Sequence, residues 1–169
     1  MNLTEYDMTS DPSSLTPSLS VPWVRVMLIQ ETEGPYHPPI TQSHDVARLC
    51  ADMLRLDREE FRVLLLNAKH TVIAQHTVSI GSLTVSIVHP REVYKAALLA
   101  NAAAIIGVHN HPSGNPDPSP EDHALTKRLS EAGTLLGITL LDHVIIGEHT
   151  HYSFADQGQL SPPQPHPSP

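Results

Sequence analysis

The 169-residue chain contains one cysteine, Cys50, and only ten Lys and Arg against 18 Asp and Glu. A single cysteine can form neither an intramolecular disulfide nor a zinc site made of several thiolates. The formal net charge of −8, without a basic stripe, argues against the phosphate contacts that drive non-specific nucleic-acid binding. The sequence also lacks an apolar run of about 18 residues and a basic segment followed by a hydrophobic one at its N-terminus. We therefore expect a cytoplasmic protein that has no membrane segment and does not bind nucleic acid.

Proline, in contrast, is frequent, and many of the 16 prolines lie near the two ends of the chain. Such Ser- and Pro-rich segments bury too little apolar surface to offset the entropy lost on ordering. We predict a disordered tail over residues 1–21 and a Pro-rich tail over residues 159–169. The remaining segment, 22–158, has room for one core of ordinary size, so we predict a single domain there.

The spacing of apolar residues predicts strands that alternate with three helices. The helices are predicted at about 44–56 with Ser43 as the cap, from Pro90 to Asn101, and from the capping residue Ser119 onward. Strands are predicted over 23–29, 61–66, 71–80, 103–108 and 138–146, with a short edge strand over 151–154. This alternation indicates the α/β class, in a layered α-β-α domain with a central mixed sheet.

Two histidines and one aspartate have the spacing of a metal site. His109 and His111 follow an apolar strand, and two residues two apart on an extended segment point to the same side. Asp122 lies in the first turn of a helix that begins at Ser119, and its carboxylate can fold back toward the histidines. Three protein ligands with one open position is the arrangement of a catalytic zinc. The sequence therefore predicts one zinc ion and hydrolytic chemistry.

The same residues allow interpretations other than a zinc hydrolase. Ser119 and Asp122 can act only as a helix capping box, and the two histidines can be polar loop residues. The helical His-Glu-x-x-His pattern is absent, and a zinc deaminase needs a pair of cysteines. A hydrolase also needs a base near the metal, and the acidic residues 57, 59 and 60 precede the strand at 61–66. Strand alternation puts Glu59 on the face of Phe61, but the pattern alone leaves Glu59 and Glu60 both open.

The motif residues resemble the RadC family, a branch of the JAMM (MPN) metalloprotease fold. The resemblance covers about residues 40–158 and implies a JAMM/MPN architecture, which is cytidine-deaminase-like. The matching segments are His109-Asn110-His111-Pro112-Ser113-Gly114, Pro118-Ser119 with Asp122, Pro90-Arg91-Glu92, Asn101-Ala102-Ala103-Ala104, Leu125-Thr126 and Leu141-Asp142-His143.

This resemblance implies a role for each motif residue. Zinc is held by His109, His111 and Asp122 with water at the fourth position, and Ser119 helps to hold the water or the tetrahedral intermediate. The family's upstream glutamate usually stands two residues before the strand phenylalanine, which selects Glu59 as the base and leaves Glu60 in reserve. Asp142 and His143 either orient a ligand imidazole as a second shell or form a satisfied buried polar pair. The implied activity is that of a metallopeptidase or isopeptidase acting on a peptide or protein.

Long RadC proteins carry an N-terminal helix-hairpin-helix region of a type associated with DNA binding. The residues before position 40 have too few helical positions for that module, so we expect a short form that lacks it. Two other functions are kept as alternatives. One is a DNA-repair-associated or nucleic-acid-binding accessory protein, and the other is an inactive, metal-stabilised scaffold for protein interactions. The sequence leaves the substrate and the oligomeric state open.

Overall fold

The computed structural model describes residues 23–32, 39–81 and 88–160 of the chain. Within them the regular elements are three α-helices, one 3₁₀ helix and five strands. In chain order they are α1 (Ser43–Leu49), the 3₁₀ helix (Ala51–Arg55), β1 (Glu60–Leu66), β2 (Val72–Ile80), α2 (Pro90–Leu99), β3 (Ala104–Asn110), α3 (Pro120–Leu136), β4 (Thr139–Ile146) and β5 (His151–Ser153).

The five strands form one mixed sheet in the order β2-β1-β3-β4-β5. β3 lies at its centre, antiparallel to β1 and parallel to β4, while β2 and β5 are antiparallel edge strands. The parallel β3–β4 connection runs through α3, as such a crossover requires. The α/β class with a central mixed sheet is therefore confirmed.

Helices cover both faces of the sheet, which explains why β1 and β3 are apolar on both sides. Odd-numbered residues of β1 pack with α2 and α3, and even-numbered ones pack with α1 and the 3₁₀ helix. The first cluster includes Phe61, Val63, Leu65, Val93, Tyr94, Ala97 and Leu129. The second includes Val46, Cys50, Met53, Leu64, Leu66, Ile106 and Val144.

A bulge in β4 changes which residues face α2 and α3. Ile105 pairs with Leu140 but Ile106 pairs with Asp142, so Leu141 is an extra residue in the ladder. Beyond the bulge, His143 lies opposite Gly107 and shares a face with Leu140. Strict alternation would have put two residues three apart on opposite faces. Because of the bulge, the His143 side chain lies on the same face of the sheet as the side chain of His109.

The predicted order of helices and strands from residue 44 onward is confirmed, but three local predictions were wrong. Residues 23–29 form no strand: their side chains are exposed, Trp23 fully so, and no strand among the described residues supplies backbone partners for them. The predicted helix at 44–56 is divided into α1 and the 3₁₀ helix by Cys50, whose backbone leaves helical geometry. Ser43 is the first residue of α1 and not its cap, which is Gln42. The Ser43 hydroxyl forms hydrogen bonds with His151 and Asp156, near the C-terminal end of the domain.

The predicted tails lie mostly outside the described residues. Residues 1–22 and 161–169 are not described, and neither are 33–38 and 82–87. Gln159 and Leu160, assigned to the Pro-rich tail by the sequence analysis, contact the domain: Gln159 bonds to Tyr152 and to the carbonyl of Phe154, and Leu160 packs on the core. Among the described helices, none combines the length and the apolar composition needed to cross a bilayer.

Candidate metal centre and active site

The C-terminal end of β3 supplies the two predicted histidine ligands. His109 pairs with Phe61 of β1, and its ring is almost completely buried and stacks on that phenylalanine at a centroid distance of 6.1 Å. His111 follows the strand, and its backbone N–H continues the pairing by donating to the carbonyl of Ile146. The two side chains therefore point to the same side, and their Nε2 atoms are 3.0 Å apart.

The first turn of α3 supplies the third predicted ligand. Ser119 is the N-cap residue, and it forms a capping box with Asp122: the backbone N–H of each residue donates to the side chain of the other. The Ser119 hydroxyl also donates to Asp122 Oδ2 at 2.7 Å. The carboxylate so fixed faces both imidazoles, with Oδ1 at 3.2 Å from His109 Nε2 and Oδ2 at 3.5 Å from His111 Nε2. Capping and ligand geometry are thus compatible in one carboxylate.

These three side chains fit a tetrahedral metal ion. One ligand atom from each lies within 4.8 Å of the others. An ion with bonds of about 2.0–2.2 Å holds its ligand atoms about 3.3–3.6 Å apart. The distance of 3.2 Å between His109 Nε2 and Asp122 Oδ1 is close to this range, and the two Nε2 atoms are slightly nearer to each other at 3.0 Å. His111 Nδ1 lies 2.8 Å from the carbonyl of Asn115. Because a carbonyl oxygen only accepts, His111 Nδ1 carries the proton of the neutral ring, and Nε2 has a free lone pair. The donor set is two imidazole nitrogens and one carboxylate oxygen, which suits zinc.

The carboxylate is ionised in this setting. Burial by itself raises the pKa of Asp122, but its contacts with the His109 and His111 rings and the hydrogen bond from the Ser119 hydroxyl outweigh that effect. The pKa therefore lies well below its usual range. The ionised carboxylate is the form that can bind a metal ion.

The two candidate bases, Glu59 and Glu60, have different surroundings. The β1–β3 register pairs Phe61 with His109, and the same register continued by two residues would put Glu59, which precedes β1, opposite His111. The pKa of His111 is raised first by its hydrogen bond with Asp122, and the charge of the half-buried Glu59 contributes to the same shift. Glu60 is buried, and it accepts from Arg62 at 2.6 Å and from Thr77 at 3.0 Å.

Asn110, between the two histidines, fixes the backbone on either side of Glu59. Its Oδ1 accepts from the backbone N–H of Glu60 at 2.9 Å, and its Nδ2 donates to the carbonyl of Arg58 at 3.1 Å. The carbonyl of Glu59 itself accepts from Gly81. Its position between the two ligands predicts that Asn110 points away from the zinc and fixes the loop, and its hydrogen bonds are to the backbone just before β1 and at its first residue.

Asp142 and His143, predicted either to orient a ligand imidazole or to form a satisfied buried polar pair, have different surroundings. His143 is fully buried, its Nε2 lies 2.8 Å from His109 Nδ1, and its ring stacks on Phe154. Burial, together with the neighbouring His109 ring, holds the pKa of His143 well below its usual value. Asp142 instead accepts from the backbone of His143 and Ala155 and from the Ser153 hydroxyl. Asp142 therefore fixes the backbone at the end of β5, whereas His143 is the residue next to a metal ligand.

Gly107 makes the ring packing around His109 possible. A Cβ atom at this position would lie 3.0 Å from Phe61 Cζ and 3.4 Å from His143 Cδ2. The aromatic rings on the two neighbouring strands therefore occupy the space above the glycine. His109, next on the same face of β3, packs against both rings, with its centroid 4.9 Å from that of His143.

Comparison with known proteins assigns this arrangement to a family. Residues 40–159 match the RadC-like JAB domain. The chain belongs to the RadC family. It is 52% identical over 125 residues to a UPF0758 protein of Alkaliphilus metalliredigens, covering 73% of this chain and 54% of that relative. It is 54% identical over 120 residues to a UPF0758 protein of Caldanaerobacter subterraneus, covering 70% and 52% of the two chains.

A UPF0758 protein of Shouchella clausii is 50% identical over 131 residues, which cover 77% of this chain and 57% of that relative. The chain thus spans about half the length of the curated relatives it matches. The resemblance to the RadC family stated from the motifs is confirmed. The described site, with its possible His-His-Asp metal ligands, lies wholly within the part that matches the RadC-like domain.

Proposed function

We propose that this RadC-family chain is a zinc-dependent hydrolase that cleaves an amide bond, as a metallopeptidase or isopeptidase, in a peptide or protein. The observation that carries the proposal is the convergence of His109, His111 and Asp122 at separations suited to one tetrahedral ion. Three protein ligands leave one coordination position for water or substrate, as in catalytic zinc sites. A cytoplasmic location stays a prediction.

The ligands of this chain favour zinc for a chemical reason. Two neutral imidazoles and one carboxylate form the ligand type found in hydrolytic zinc sites. When bound, zinc would supply Lewis acidity toward a carbonyl oxygen and allow water to attack at neutral pH. The residues of the chain then have to bind the ion, move protons and stabilise negative charge.

Glu59 is proposed as the group that moves the proton. Its charge acts on His111, and the β1 register continued by two residues would put it opposite that ligand. We therefore expect its carboxylate to accept a proton from the attacking water and to deliver it to the leaving amine. Asn110 and Gly81 hold the backbone around it, which limits the movement of the carboxylate. Glu60 is already engaged by Arg62 and Thr77, which argues against its use as the base.

Ser119 is proposed to act in two ways at the start of α3. Its hydroxyl holds Asp122 through a hydrogen bond of 2.7 Å, so it orients a metal ligand. The hydroxyl has a single proton, so to stabilise an oxyanion during the reaction it would have to turn from Asp122 to the substrate, while the backbone N–H of Ser119 keeps its hydrogen bond to Asp122 Oδ2.

The experiment that tests this function compares Glu59→Gln with Glu60→Gln. Both proteins are loaded with zinc, their metal content and melting temperature are measured, and hydrolysis is assayed on a panel of peptide and ubiquitin-like isopeptide substrates. We expect E59Q to keep its zinc and to lose about 10²–10⁴-fold in rate, the usual contribution of a general base. E60Q should keep the rate, with a change in stability only.

Two results would contradict the proposal. Equal rates for E59Q and the wild-type chain would exclude Glu59 as the base. A zinc-loaded wild-type chain that hydrolyses no member of the panel would favour the scaffold alternative over the hydrolase. The DNA-binding alternative has its own measurement, which is retention on DNA at low ionic strength.

A further inference from the structure

The side chain of Thr126 is connected to the candidate metal site through two buried histidines. Thr126 lies one helical turn after Asp122 in α3 and is buried. Its Oγ1 is 2.6 Å from the backbone carbonyl of Asp122 and also 2.6 Å from Nδ1 of His143. His143 Nε2 is in turn 2.8 Å from His109 Nδ1. A continuous path of hydrogen bonds therefore runs from the helix to a metal ligand.

The hydrogen bond between Thr126 and the carbonyl of Asp122 determines the direction of the other hydrogen bonds on this path. The carbonyl of Asp122 can only accept, so the single hydroxyl proton of Thr126 is donated to it. The Thr126 oxygen then faces His143 with a lone pair, and His143 Nδ1 must carry a proton. A fully buried imidazole is neutral, so its other nitrogen, Nε2, is bare and accepts from His109 Nδ1.

The last step reaches the metal site. With its proton held at Nδ1, His109 has a lone pair at Nε2, the atom that lies 3.0 Å from His111 Nε2 and 3.2 Å from Asp122. We infer that Thr126, acting through His143, is a positioning residue that fixes the proton of His109 on Nδ1 and so makes Nε2 available to the metal. The inference depends on the metal site of the proposed function and adds a residue for which no role had been predicted.

Removal of the hydroxyl has a defined consequence. In Thr126→Val the shape of the side chain is kept, but His143 Nδ1 loses its acceptor, and the His143 proton can move to Nε2. It would then donate to His109 Nδ1, which leaves the His109 proton on Nε2, where it blocks metal binding. Outer partners of metal-bound histidines typically contribute about 10–100-fold to metal affinity, and we expect a loss of that size in T126V.

Matched variants separate this effect from a general change in the helix. Thr126→Ser keeps the hydroxyl and should restore zinc affinity. Thr134→Val removes the same type of bond, from Thr134 Oγ1 to the carbonyl of Ser130, in the exposed part of the same helix. It should leave zinc affinity unchanged. Affinity is measured by competition with a chromophoric chelator, and the melting temperature of each metal-free variant reports structural damage.

A spectroscopic measurement tests the inference without any variant. Long-range ¹H–¹⁵N spectra of the histidine rings in the zinc-loaded wild-type chain should show His109 and His143 both protonated on Nδ1. A proton on Nε2 of His143 would overturn the inference, as would a T126V protein that binds zinc as tightly as T134V.

These outcomes are distinct from a failure of the proposed function. A wild-type chain that binds zinc and gives the expected ring spectra, but hydrolyses nothing, would contradict the hydrolase and leave the role of Thr126 standing. Normal hydrolysis and zinc affinity in T126V would contradict the role of Thr126 alone. A wild-type chain unable to bind zinc would overturn both.

Discussion

Residues without charge determine much of the geometry around His109. Its ring packs between Phe61 and His143, and His143 stacks on Phe154 with the two planes 7° apart. A Cβ atom at Gly107 would lie closer to the Phe61 ring than an ordinary van der Waals contact allows, so the ring would have to move. Since close-packed interiors tolerate added volume poorly, the orientation of the ligand should be sensitive to this one position.

The substitution Gly107→Ala tests that sensitivity. The new methyl group would lie 3.0 Å from Phe61 Cζ and displace the ring, and overpacking of this kind usually costs about 1–3 kcal/mol in the free energy of unfolding. We also expect a lower zinc affinity, because the displaced ring contacts His109. Urea denaturation and zinc competition are the measurements.

The double variant F61L/G107A provides the control for this prediction. Leucine lacks the ring atom that the alanine methyl would contact, so the cost of G107A should be smaller in the F61L background. Equal costs in both backgrounds would show that the contact with Phe61 is not the cause.

At the level of residues, the sequence predicted the chemically distinctive side chains and missed the role proposed for Thr126. His109, His111, Asp122 and Ser119 were selected because their spacing and types suggest a metal site. Thr126 and Asn110 have no distinctive type, and their roles depend on which atoms face them across the fold. The spacing of four residues between Asp122 and Thr126, which puts both on one face of α3, was the available signal.

Among the elements, the start of α3 combines folding and ligand binding. The capping box fixes the first turn of the helix and the carboxylate of Asp122 at the same time. The helix ends at Gly137, whose φ of 70° is in the left-handed region that glycine adopts without strain. The start of this helix was visible in the sequence as Ser-Pro-Glu-Asp, whereas the sequence left Gly133 and Gly137 both open as its end.

The substitution Ser119→Ala should weaken both functions of the cap. Loss of an N-cap side chain costs about 1 kcal/mol in the free energy of unfolding. The zinc affinity should fall as well, because Asp122 Oδ2 loses the hydroxyl that donates to it. Ser119→Thr keeps the hydroxyl and is the control for both measurements. An S119A protein with wild-type stability and wild-type zinc affinity would show that the capping box does not orient the ligand.

Other elements depend on tertiary contacts that a local pattern does not contain. The segment 23–29 has strand-forming residues, but a strand needs a hydrogen-bonding neighbour, and the described residues provide none there. The bulge at Leu141 is also invisible to a period of two, yet it determines that His143 faces His109. Helix and strand order could therefore be predicted, whereas the register of β4 could not.

On the scale of the whole molecule, the sheet brings the site together from distant parts of the sequence. Two ligands lie at and just after the end of β3, α3 returns a third to the same place, and Glu59 directly precedes the antiparallel β1. Site residues at the end of a central strand agree with the usual location of active sites in open α/β sheets. The formal charge of −8 does not oppose a divalent cation at this position.

The central claim is that these three side chains bind one metal ion, and metal analysis of the intact chain tests it most directly. Wild-type protein and the double variant His109→Gln/His111→Gln are incubated with zinc, passed through a desalting column and analysed by mass spectrometry for bound metal. We expect one zinc ion per wild-type chain, and we expect the variant to retain none. Wild-type protein without stoichiometric zinc, or equal retention by the two proteins, would contradict it.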